Sequence, residues 1–255
     1  MSVAPELSWQ LGAALVLLLA LGLGAAWAGR IRLTRELVVA ALRAAVQLTV
    51  VALVIAAVFE HGWSSVLFAV VMFAVAVITA AGRVGARPCL PWVAVAVGGG
   101  ALPVLVIVFG TGAVEFSGPG IVAISGIVIG GSMTAHTLTA RRAFDVMRTD
   151  RGQIEAGLAL GLDRAVSISN VIGRHTREAV LPAVDQTRTV GLVTLPGAFV
   201  GVLLGGGSAS EAAAAQLIVL VGLLAAETVV AVVSQRLIAD GRILPDDVRT
   251  VLPTR

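Results

Sequence analysis

The sequence contains no lysine, one cysteine and few charged residues of either sign. Its eighteen basic residues are all arginines, so the chain cannot supply the lysine with which the G-x-x-x-x-G-K-[ST] loop of P-loop ATPases reaches nucleotide phosphates. A single cysteine, Cys89, excludes an internal disulfide and a multi-cysteine metal cluster. Charged residues make up 13% of the 255 positions, against roughly a quarter in soluble domains, which excludes an ordinary soluble protein.

Apolar residues fill the chain instead. They account for 58% of the sequence and give a mean hydropathy of +0.98, as expected for an integral membrane protein. Runs of about 20 apolar residues are long enough to cross a hydrocarbon core. Such runs predict an all-α membrane protein with seven transmembrane helices, at residues 9–28, 37–59, 64–81, 92–109, 120–140, 189–206 and 213–235.

The arginines alternate between the predicted connections. They follow the first, third, fifth and seventh spans, starting with Arg30 and ending with Arg255. The N-terminus and the remaining loops contain no arginine, and their titratable residues are Glu6, Glu60, His61, Glu115 and Glu211. By the positive-inside rule, this pattern predicts an N-terminus outside and a C-terminus in the cytoplasm.

The long basic segment 141–188 is predicted to be a helical cytoplasmic part of one transmembrane domain covering residues 1–255, because structureless loops of that length are uncommon. Apolar or small residues recur in it at three- and four-residue spacing, which indicates an amphipathic helix. They are Ile154, Leu158, Gly161, Leu162, Ala165 and Ile168. This helix either docks on a partner protein or lies on the lipid surface.

A short motif in this segment favours docking. Glu155-Ala156-Gly157, followed by Gly161, matches the start of the E-A-A-x-x-x-G signature that the permeases of ABC importers present to their ATPases. Small residues let a helix sit deep in a groove. We therefore predict ATPase coupling through Glu155, Ala156, Gly157, Leu158 and Gly161. The importer signature has Leu-Pro soon after its second glycine, where this chain has Gly173-Arg174.

That departure points to another group of permeases. The chain carries "GIVIGGSMTAHTL" at 126–138, "EAGLALGLDRAVS" at 155–167, "REAVLPAVDQTRTVGLVTLPGAFVGVLLGG" at 177–206 and "AAAAQLIVL" at 212–220. These motifs resemble the FetB-type permease subunit family of iron-export ABC transporters, and the likeness extends from about residue 30 to residue 236. Gly131 and Ala198-Phe199 depart from the residues usual in that family, an asparagine and a methionine pair, so the substrate could differ.

The resemblance implies a permease subunit that exports a metal ion, with iron as the candidate, from a bacterial-type plasma (inner) membrane. The chain itself is then not an enzyme and holds no cofactor; ATP and Mg²⁺ bind a separate P-loop ATPase subunit. No internal repeat is visible, so a full transporter would need a homodimer of this chain. No feature suggests nucleic acid binding. The alternative is an ATP-independent ion channel or secondary carrier, with Arg43, His136 and Glu227 along its ion path.

Four residues within predicted spans are candidates for the substrate pathway. Arg43 is costly at membrane depth unless it is paired, hydrated or snorkels to the headgroups, and Gln47 lies one turn further on the same face. Met133 and His136 share a face of the fifth span and are tentative metal ligands. A membrane histidine that bonds a neighbouring helix is the alternative.

The remaining candidates are one acid and one proline. Glu227 is the only acid deep in a predicted span, and we expect it either to pair with Arg43 or to contact a cation as a third tentative metal ligand. Pro196, followed by Gly197, should break the sixth span and free backbone carbonyls, unless it only kinks the helix. Gly126 and Gly130 are spaced for close helix packing.

Overall fold

The computed structural model describes residues 8–59 and 62–251, and the described backbone is helical with no β-strand. This confirms the all-α prediction. The helices are α1 (Trp9–Ala28), α2 (Thr34–Phe59), α3 (Gly62–Arg83), α4 (Leu90–Gly110), α5 (Gly118–Thr149), α6 (Arg151–Ala159), α7 (Arg164–Thr189), α8 (Gly197–Leu204), α9 (Ala209–Ala239) and α10 (Asp246–Val251). A 3₁₀ turn at Arg87–Cys89 precedes α4.

Six of these helices are long and apolar enough to cross a membrane: α1, α2, α3, α4, α5 and α9. They correspond to six of the seven predicted spans. The predicted span at 189–206 is not a continuous helix, because α7 ends at Thr189 and the eight-residue α8 begins at Gly197. Four residues used in the charge pattern, Glu6, Glu60, His61 and Arg255, lie outside the described residues.

The chain divides into two compact units, residues 1–58 and 59–255. The first contains α1 and α2. Ser8 caps α1 by accepting a hydrogen bond from the Leu11 N–H at 3.4 Å. Among the described side chains of α1 and α2, only Ala26 and Val58 are buried, so both helices present apolar surface almost all round. This surface is suited to lipid or to other membrane helices.

In the second unit, α5 and α9 pack side by side and run in the same direction. Gly131 of α5 lies against Glu227 of α9, and five residues later His136 lies against Ser234. Residue numbers rise on both helices from one contact to the next, as they do for parallel helices. α3 also packs on α5.

α4 runs against α9, and a glycine brings the two backbones together. A Cβ at Gly100 would collide with the Ala226 carbonyl oxygen and with Val230, while Val104 lies beside Gly222. Position numbers rise on α4 as they fall on α9, so the pair is antiparallel. Only glycine allows this close approach, because the obstructing atom at Ala226 is backbone.

α7 and α8 also run antiparallel to α9. Gly173 lies near Gln235, and the Phe199 N–H donates to Gln216 Oε1 at 3.3 Å. The start of α7 joins α6 and the C-terminal segment in one buried apolar cluster. Its largest fully buried members include Met147, Ile154, Ile168, Ile172, Ile238 and Ile243. In the segment between α5 and α9, α6 and the start of α7 are therefore packed on the rest of the bundle.

Candidate functional site

A sharp turn separates α6 from α7 where one continuous amphipathic helix was predicted. The Leu162 N–H donates to the Gly157 carbonyl at 3.1 Å, and the Gly161 N–H donates to the Leu158 carbonyl at 3.0 Å. Gly161 has a φ of 84°, a left-handed conformation that favours glycine. The continuous-helix prediction is wrong at this point, because a glycine C-cap ends α6.

The turn changes which of the predicted coupling residues face outward. Ile154 is fully buried, Leu158 packs partly on the apolar cluster, and a Cβ at Gly157 would lie 2.7 Å from Ser167 Oγ. Leu160, by contrast, is 83% exposed. The sequence analysis missed Leu160, although its position directly before Gly161 was a signal that it would lie at the tip of a turn.

Charged residues surround this turn. Arg151 donates to Glu155 Oε1 at 2.7 Å within α6, and Ala156 is exposed beside them. Asp163 and Arg164 follow the turn. An exposed leucine is therefore framed by ionic side chains, an arrangement typical of a protein contact in water rather than of a lipid-facing surface.

The C-terminal segment is tied to the end of α5 near the same turn. Arg148 donates to Asp247 Oδ2 from Nε at 2.9 Å and from its terminal nitrogen at 2.7 Å. These hydrogen bonds hold the pKa of the Asp247 carboxyl below its usual range. Arg242 stacks over the Trp92 ring at 4.2 Å. The Arg148–Asp247 contact fastens α10 to the end of α5, and the Arg242–Trp92 contact fastens the segment before α10 to the start of α4.

Inside the bundle, the half-buried Glu227 occupies a notch made by Gly131. A Cβ at position 131 would lie 2.9 Å from Glu227 Oε1 and 2.5 Å from Leu223 Cδ2. No charged or hydrogen-bonding partner for this carboxylate lies among the described residues. An intramembrane carboxylate with no such partner is a candidate cation contact.

His136 lies apart from Glu227. Its imidazole is fully buried, and Nδ1 shares a 2.8 Å hydrogen bond with Ser234 Oγ. Nε2 has no partner among the described atoms, and neither does Ser132 Oγ one turn earlier. The hydrogen bond to a neighbouring helix is the alternative that the sequence left open.

The structure does not bring the three tentative metal ligands together. Gly131 and His136 mark the two levels on α5, and Glu227 and Ser234 mark them on α9. The two levels are separated by about 7–10 Å along the helices, at 1.5 Å per residue. Met133 packs against the apolar cluster described above and against a second buried cluster, which includes Val104 of α4, Val128 of α5 and Ala226 of α9. Among the described residues, no group of three or more His, Cys, Asp or Glu could hold a metal ion.

Other predicted positions are placed as follows. Arg43 and Gln47 lie one turn apart on α2, and both are exposed. Gly126 packs closely, since a Cβ there would lie 2.8 Å from Met72 Cε, whereas a Cβ at Gly130 would meet nothing within 4 Å. The close-packing prediction is therefore confirmed for Gly126 and wrong for Gly130.

The break at Pro196 is confirmed and is larger than one residue. Val190 to Pro196 is not helical, and Pro196 is the N-cap of α8. Gly191 has a φ of 81°, its N–H donates to the Thr194 carbonyl at 2.9 Å, and the Val193 N–H donates to the Thr189 carbonyl at 3.0 Å. A compact turn thus interrupts the run of chain alongside α9.

A family model described as an uncharacterised protein family, UPF0014, matches residues 8–241. The chain belongs to the UPF0014 family. The match to UPF0014 includes α1 to α9. It therefore includes the turns at Gly161 and Gly191 and also Glu227. It confirms the family resemblance given by the motifs, since FetB is among the similar proteins.

Three relatives indicate what the family contains. The chain is 30% identical to the UPF0014 membrane protein STAR2 of Oryza sativa over 46% of this chain and 41% of that protein. It is 28% identical to the UPF0014 membrane protein slr1647 of Synechocystis over 79% and 78%. It is 32% identical to the "Probable iron export permease protein FetB" of Escherichia coli over 45% and 44%. The chain thus matches less than half of the rice and E. coli proteins. No solved structure matches it.

Proposed function

We propose that this chain is the permease subunit of an ABC transporter whose ATP is hydrolysed by a separate P-loop ATPase subunit. The observation that carries the proposal is the α6–α7 turn, where Leu160 is 83% exposed between charged residues and lies outside the long apolar helices. An exposed apolar residue framed by charges suits a soluble partner. The missing lysine supports a separate ATPase.

In this proposal the chain crosses the membrane seven times. The sixth crossing is the predicted span 189–206, in which the turn after α7 is followed by α8, and the hydrogen bond from Phe199 of α8 to Gln216 of α9 supports it. The N-terminus is then outside and the C-terminus in the cytoplasm of a bacterial-type plasma membrane. The α6–α7 turn faces the ATPase from the cytoplasmic side. Two copies of the chain assemble as a homodimer with two ATPase subunits.

The transported substrate is a metal ion, which is exported. Iron is the candidate because the E. coli relative is named as a probable iron export permease. Glu227 contacts the cation, since its carboxylate lies in the Gly131 notch without a described partner. His136 and Met133 support α5 rather than complete the same ion site. Arg43, Gln47 and Pro196 remain proposed residues of the pathway.

A labelling experiment tests the ATPase contact. Cys89 is the sole cysteine, so Cys89→Ser provides a background into which single cysteines are introduced. In detergent, Leu160→Cys should react with a hydrophilic maleimide at least fivefold more slowly after the ATPase is added. Glu115→Cys, at the opposite end of α5, should react equally with and without it.

Metal-stimulated hydrolysis by the reconstituted complex separates the transporter from the channel or carrier. Iron(II) should raise ATP hydrolysis by the wild-type complex and fail to do so with Glu227→Gln. Equal labelling of Leu160→Cys with and without the ATPase would contradict the proposed docking. A permease that transports metal with no ATPase present would favour the ATP-independent alternative.

A further inference from the structure

Three exposed arginines gather at the last turn of α3. Arg83 is the final residue of that helix, and a terminal nitrogen of Arg141, on α5, donates to the Arg83 carbonyl at 3.4 Å. The Arg87 guanidinium lies beside the preceding residue, since a Cβ at Gly82 would be 3.7 Å from its Nε and 3.8 Å from a terminal nitrogen. The side chains of Arg87 and Arg141 therefore bring two positive charges to adjacent positions of one helix end.

A fourth exposed arginine borders the same connection between α3 and α4. Arg242, in the segment after α9, places its Cζ 4.2 Å from the centre of the Trp92 ring at the start of α4. That segment packs on the connection, since a Cβ at Gly85 would lie 3.6 Å from Pro245 Cβ. The ends of α3, α4 and α5 thus share one basic border. We refer to it as the arginine surface, formed by Arg83, Arg87, Arg141, Arg242 and Trp92.

The charges of the arginine surface are not neutralised by the chain. None of its four arginines forms an ion pair with a residue that the structure describes. The sequence contains no acidic residue from 62 to 114, a range that includes α3, the connection and α4. Each guanidinium has five N–H donors, and the described hydrogen bond from Arg141 to the Arg83 carbonyl uses one of them. Most of these donors are therefore available to an external acceptor.

The level of the arginine surface indicates which acceptor it meets. Arg83 comes two residues after the predicted span 64–81, and Arg141 directly follows the span 120–140. Trp92 opens the span 92–109, and tryptophan is enriched at the level of the lipid headgroups. Arginine recognises phosphate through paired, charge-assisted hydrogen bonds. The phosphate of a lipid headgroup therefore lies at the level of these donors.

The clustering of the arginines selects among headgroups. A zwitterionic headgroup carries an amine whose positive charge the arginines repel, whereas an anionic headgroup has no such opposing charge. Clusters of basic residues directly beside membrane helices attract anionic lipid, and basic recesses between helix ends bind its headgroups. An anionic phospholipid is therefore better suited to this surface than a neutral one.

We propose that the arginine surface binds the phosphate headgroup of an anionic phospholipid at the membrane border. The bound lipid would join the ends of α3, α4 and α5 to the C-terminal segment, because each of them contributes one of the five side chains. The site is separate from the Glu227 notch and from the α6–α7 turn. The inference requires only that α3, α4 and α5 cross a membrane, so it does not depend on the proposed ATPase or substrate.

Trp92 provides a fluorescent reporter for this site. The sequence has four tryptophans and no tyrosine, so Trp9→Phe, Trp27→Phe and Trp63→Phe, all at exposed positions, leave Trp92 as the only strong fluorophore. The permease is reconstituted without ATPase into phosphatidylcholine vesicles. These contain increasing amounts of phosphatidylglycerol or phosphatidylcholine with a nitroxide quencher near the headgroup end of one acyl chain. We expect the phosphatidylglycerol to quench Trp92 with about fivefold higher apparent affinity than the phosphatidylcholine.

Paired substitutions in this reporter test the arginines. Arg87→Gln with Arg141→Gln should lower the preference for phosphatidylglycerol by about threefold, whereas Arg87→Lys with Arg141→Lys should keep most of it, because the charge remains. The matched control is Arg174→Gln with Arg177→Gln, which removes the same charge from exposed positions of α7 and should leave the preference unchanged. Every variant must first elute as a single species in detergent, which establishes that it folds.

Three outcomes overturn the inference. The first is equal quenching by the two lipids in the reporter protein. The second is a preference that survives Arg87→Gln with Arg141→Gln, because it then arises from basic residues elsewhere. The third is an unchanged lipid preference in that variant together with a tenfold loss of ATPase affinity, which would make the arginine surface a contact for the ATPase. If instead the lipid preference depends on Arg87 and Arg141 while the ATPase fails to protect Leu160→Cys, the lipid site stands and the ATPase proposal fails.

Discussion

Two turns in the segment between α5 and α9 have similar elements but different surroundings. Each contains a glycine with positive φ, Gly161 at 84° and Gly191 at 81°. Each also presents a leucine almost fully outward, Leu160 at 83% exposed and Leu192 at 88%. Local backbone chemistry alone would not distinguish them, since both glycines supply the same left-handed conformation.

The charges around the turns distinguish them. The first turn lies between Arg151 and Glu155 on one side and Asp163 and Arg164 on the other. The second turn has charge on one side only: the Asp185–Arg188 ion pair, at 3.5 Å, precedes it, and the stretch 190–206 that contains the turn and α8 has no charged residue. Exposed leucine next to ions is suited to a partner in water, and exposed leucine without ions is suited to a partner in the membrane. The surroundings of each turn, water or membrane, rather than its backbone conformation, therefore decide which kind of partner its leucine contacts.

The largest expected effect comes from exchanging the two leucines for an acid. Leu160→Glu should weaken ATPase binding at least tenfold, because a buried leucine contributes about 1.5–3 kcal/mol and tenfold corresponds to about 1.4 kcal/mol. Leu192→Glu should leave that affinity within twofold, because Leu192 lies outside the α6–α7 turn. Titration of the ATPase onto immobilised permease measures both affinities.

Leu192→Glu therefore serves as the control for the effect of Leu160→Glu on ATPase binding. If both substitutions weaken ATPase binding equally, the two turns have the same partner and the contrast between them is wrong. If neither does, the exposed leucine of the α6–α7 turn is not the docking residue.

The spans were predictable because hydropathy reports directly on lipid. The run at 9–28 coincides with α1, whereas the run at 120–140 ends nine residues before α5 does at Thr149. Arg141 and Arg142 end the apolar run without ending the helix, since arginine is a good helix former. Hydropathy therefore located the apolar part of the helix and could not locate where the helix itself stops.

The break between α6 and α7 was not predicted because the apolar spacing continues through it. Ile154 and Ile168 are both fully buried in one cluster, although they lie on different helices. Both must reach the same core, so their spacing mimics that of one helix. The informative signal was Gly161 followed by Asp163, a C-cap glycine and an N-cap residue. Leu160, rather than Leu158, becomes the outward residue as a result.

The candidate residues for a substrate pathway were identifiable from the sequence, but their mutual placement was not. Glu227 and His136 are conspicuous because charged or polar side chains are rare in apolar spans. Which residues of α5 lie beside Glu227, and which residues of α9 lie beside His136, depends on how the two helices pack. That register follows from close contacts such as Glu227 against Gly131, which no periodicity in either helix encodes.

A smaller effect is expected at a third glycine, Gly131, which forms no turn but leaves space for neighbouring side chains. Gly131→Ala should displace Glu227 Oε1 and Leu223 Cδ2, both of which are ends of flexible side chains. We expect little change in the unfolding temperature, and about a fivefold rise in the metal concentration that half-maximally stimulates ATP hydrolysis, because the rotated carboxylate leaves its position at a cost of about 1 kcal/mol. Measuring stimulated hydrolysis against metal concentration tests this.

Gly130→Ala is the matched control, because it gains the same helix propensity and its Cβ meets nothing within 4 Å. It should leave both the unfolding temperature and the metal dependence near wild type. An unchanged metal dependence in Gly131→Ala would indicate that the position of the Glu227 carboxylate does not matter to transport.

The smallest expected effects come from the turn glycines themselves. A Cβ would meet nothing within 4 Å at either position, so alanine introduces only backbone strain, about 1–2 kcal/mol in the left-handed region. Gly161→Ala and Gly191→Ala should therefore lower the unfolding temperature by similar amounts, whereas Gly152→Ala and Gly201→Ala, in helices with open space, should not. Their effects on ATPase binding should differ: Gly161→Ala weakens it about twofold, and Gly191→Ala leaves it unchanged. If Gly191→Ala instead weakened ATPase binding as much as Gly161→Ala does, the broken crossing would be coupled to the docking turn, and surrounding charge would no longer be enough to explain why the two turns differ.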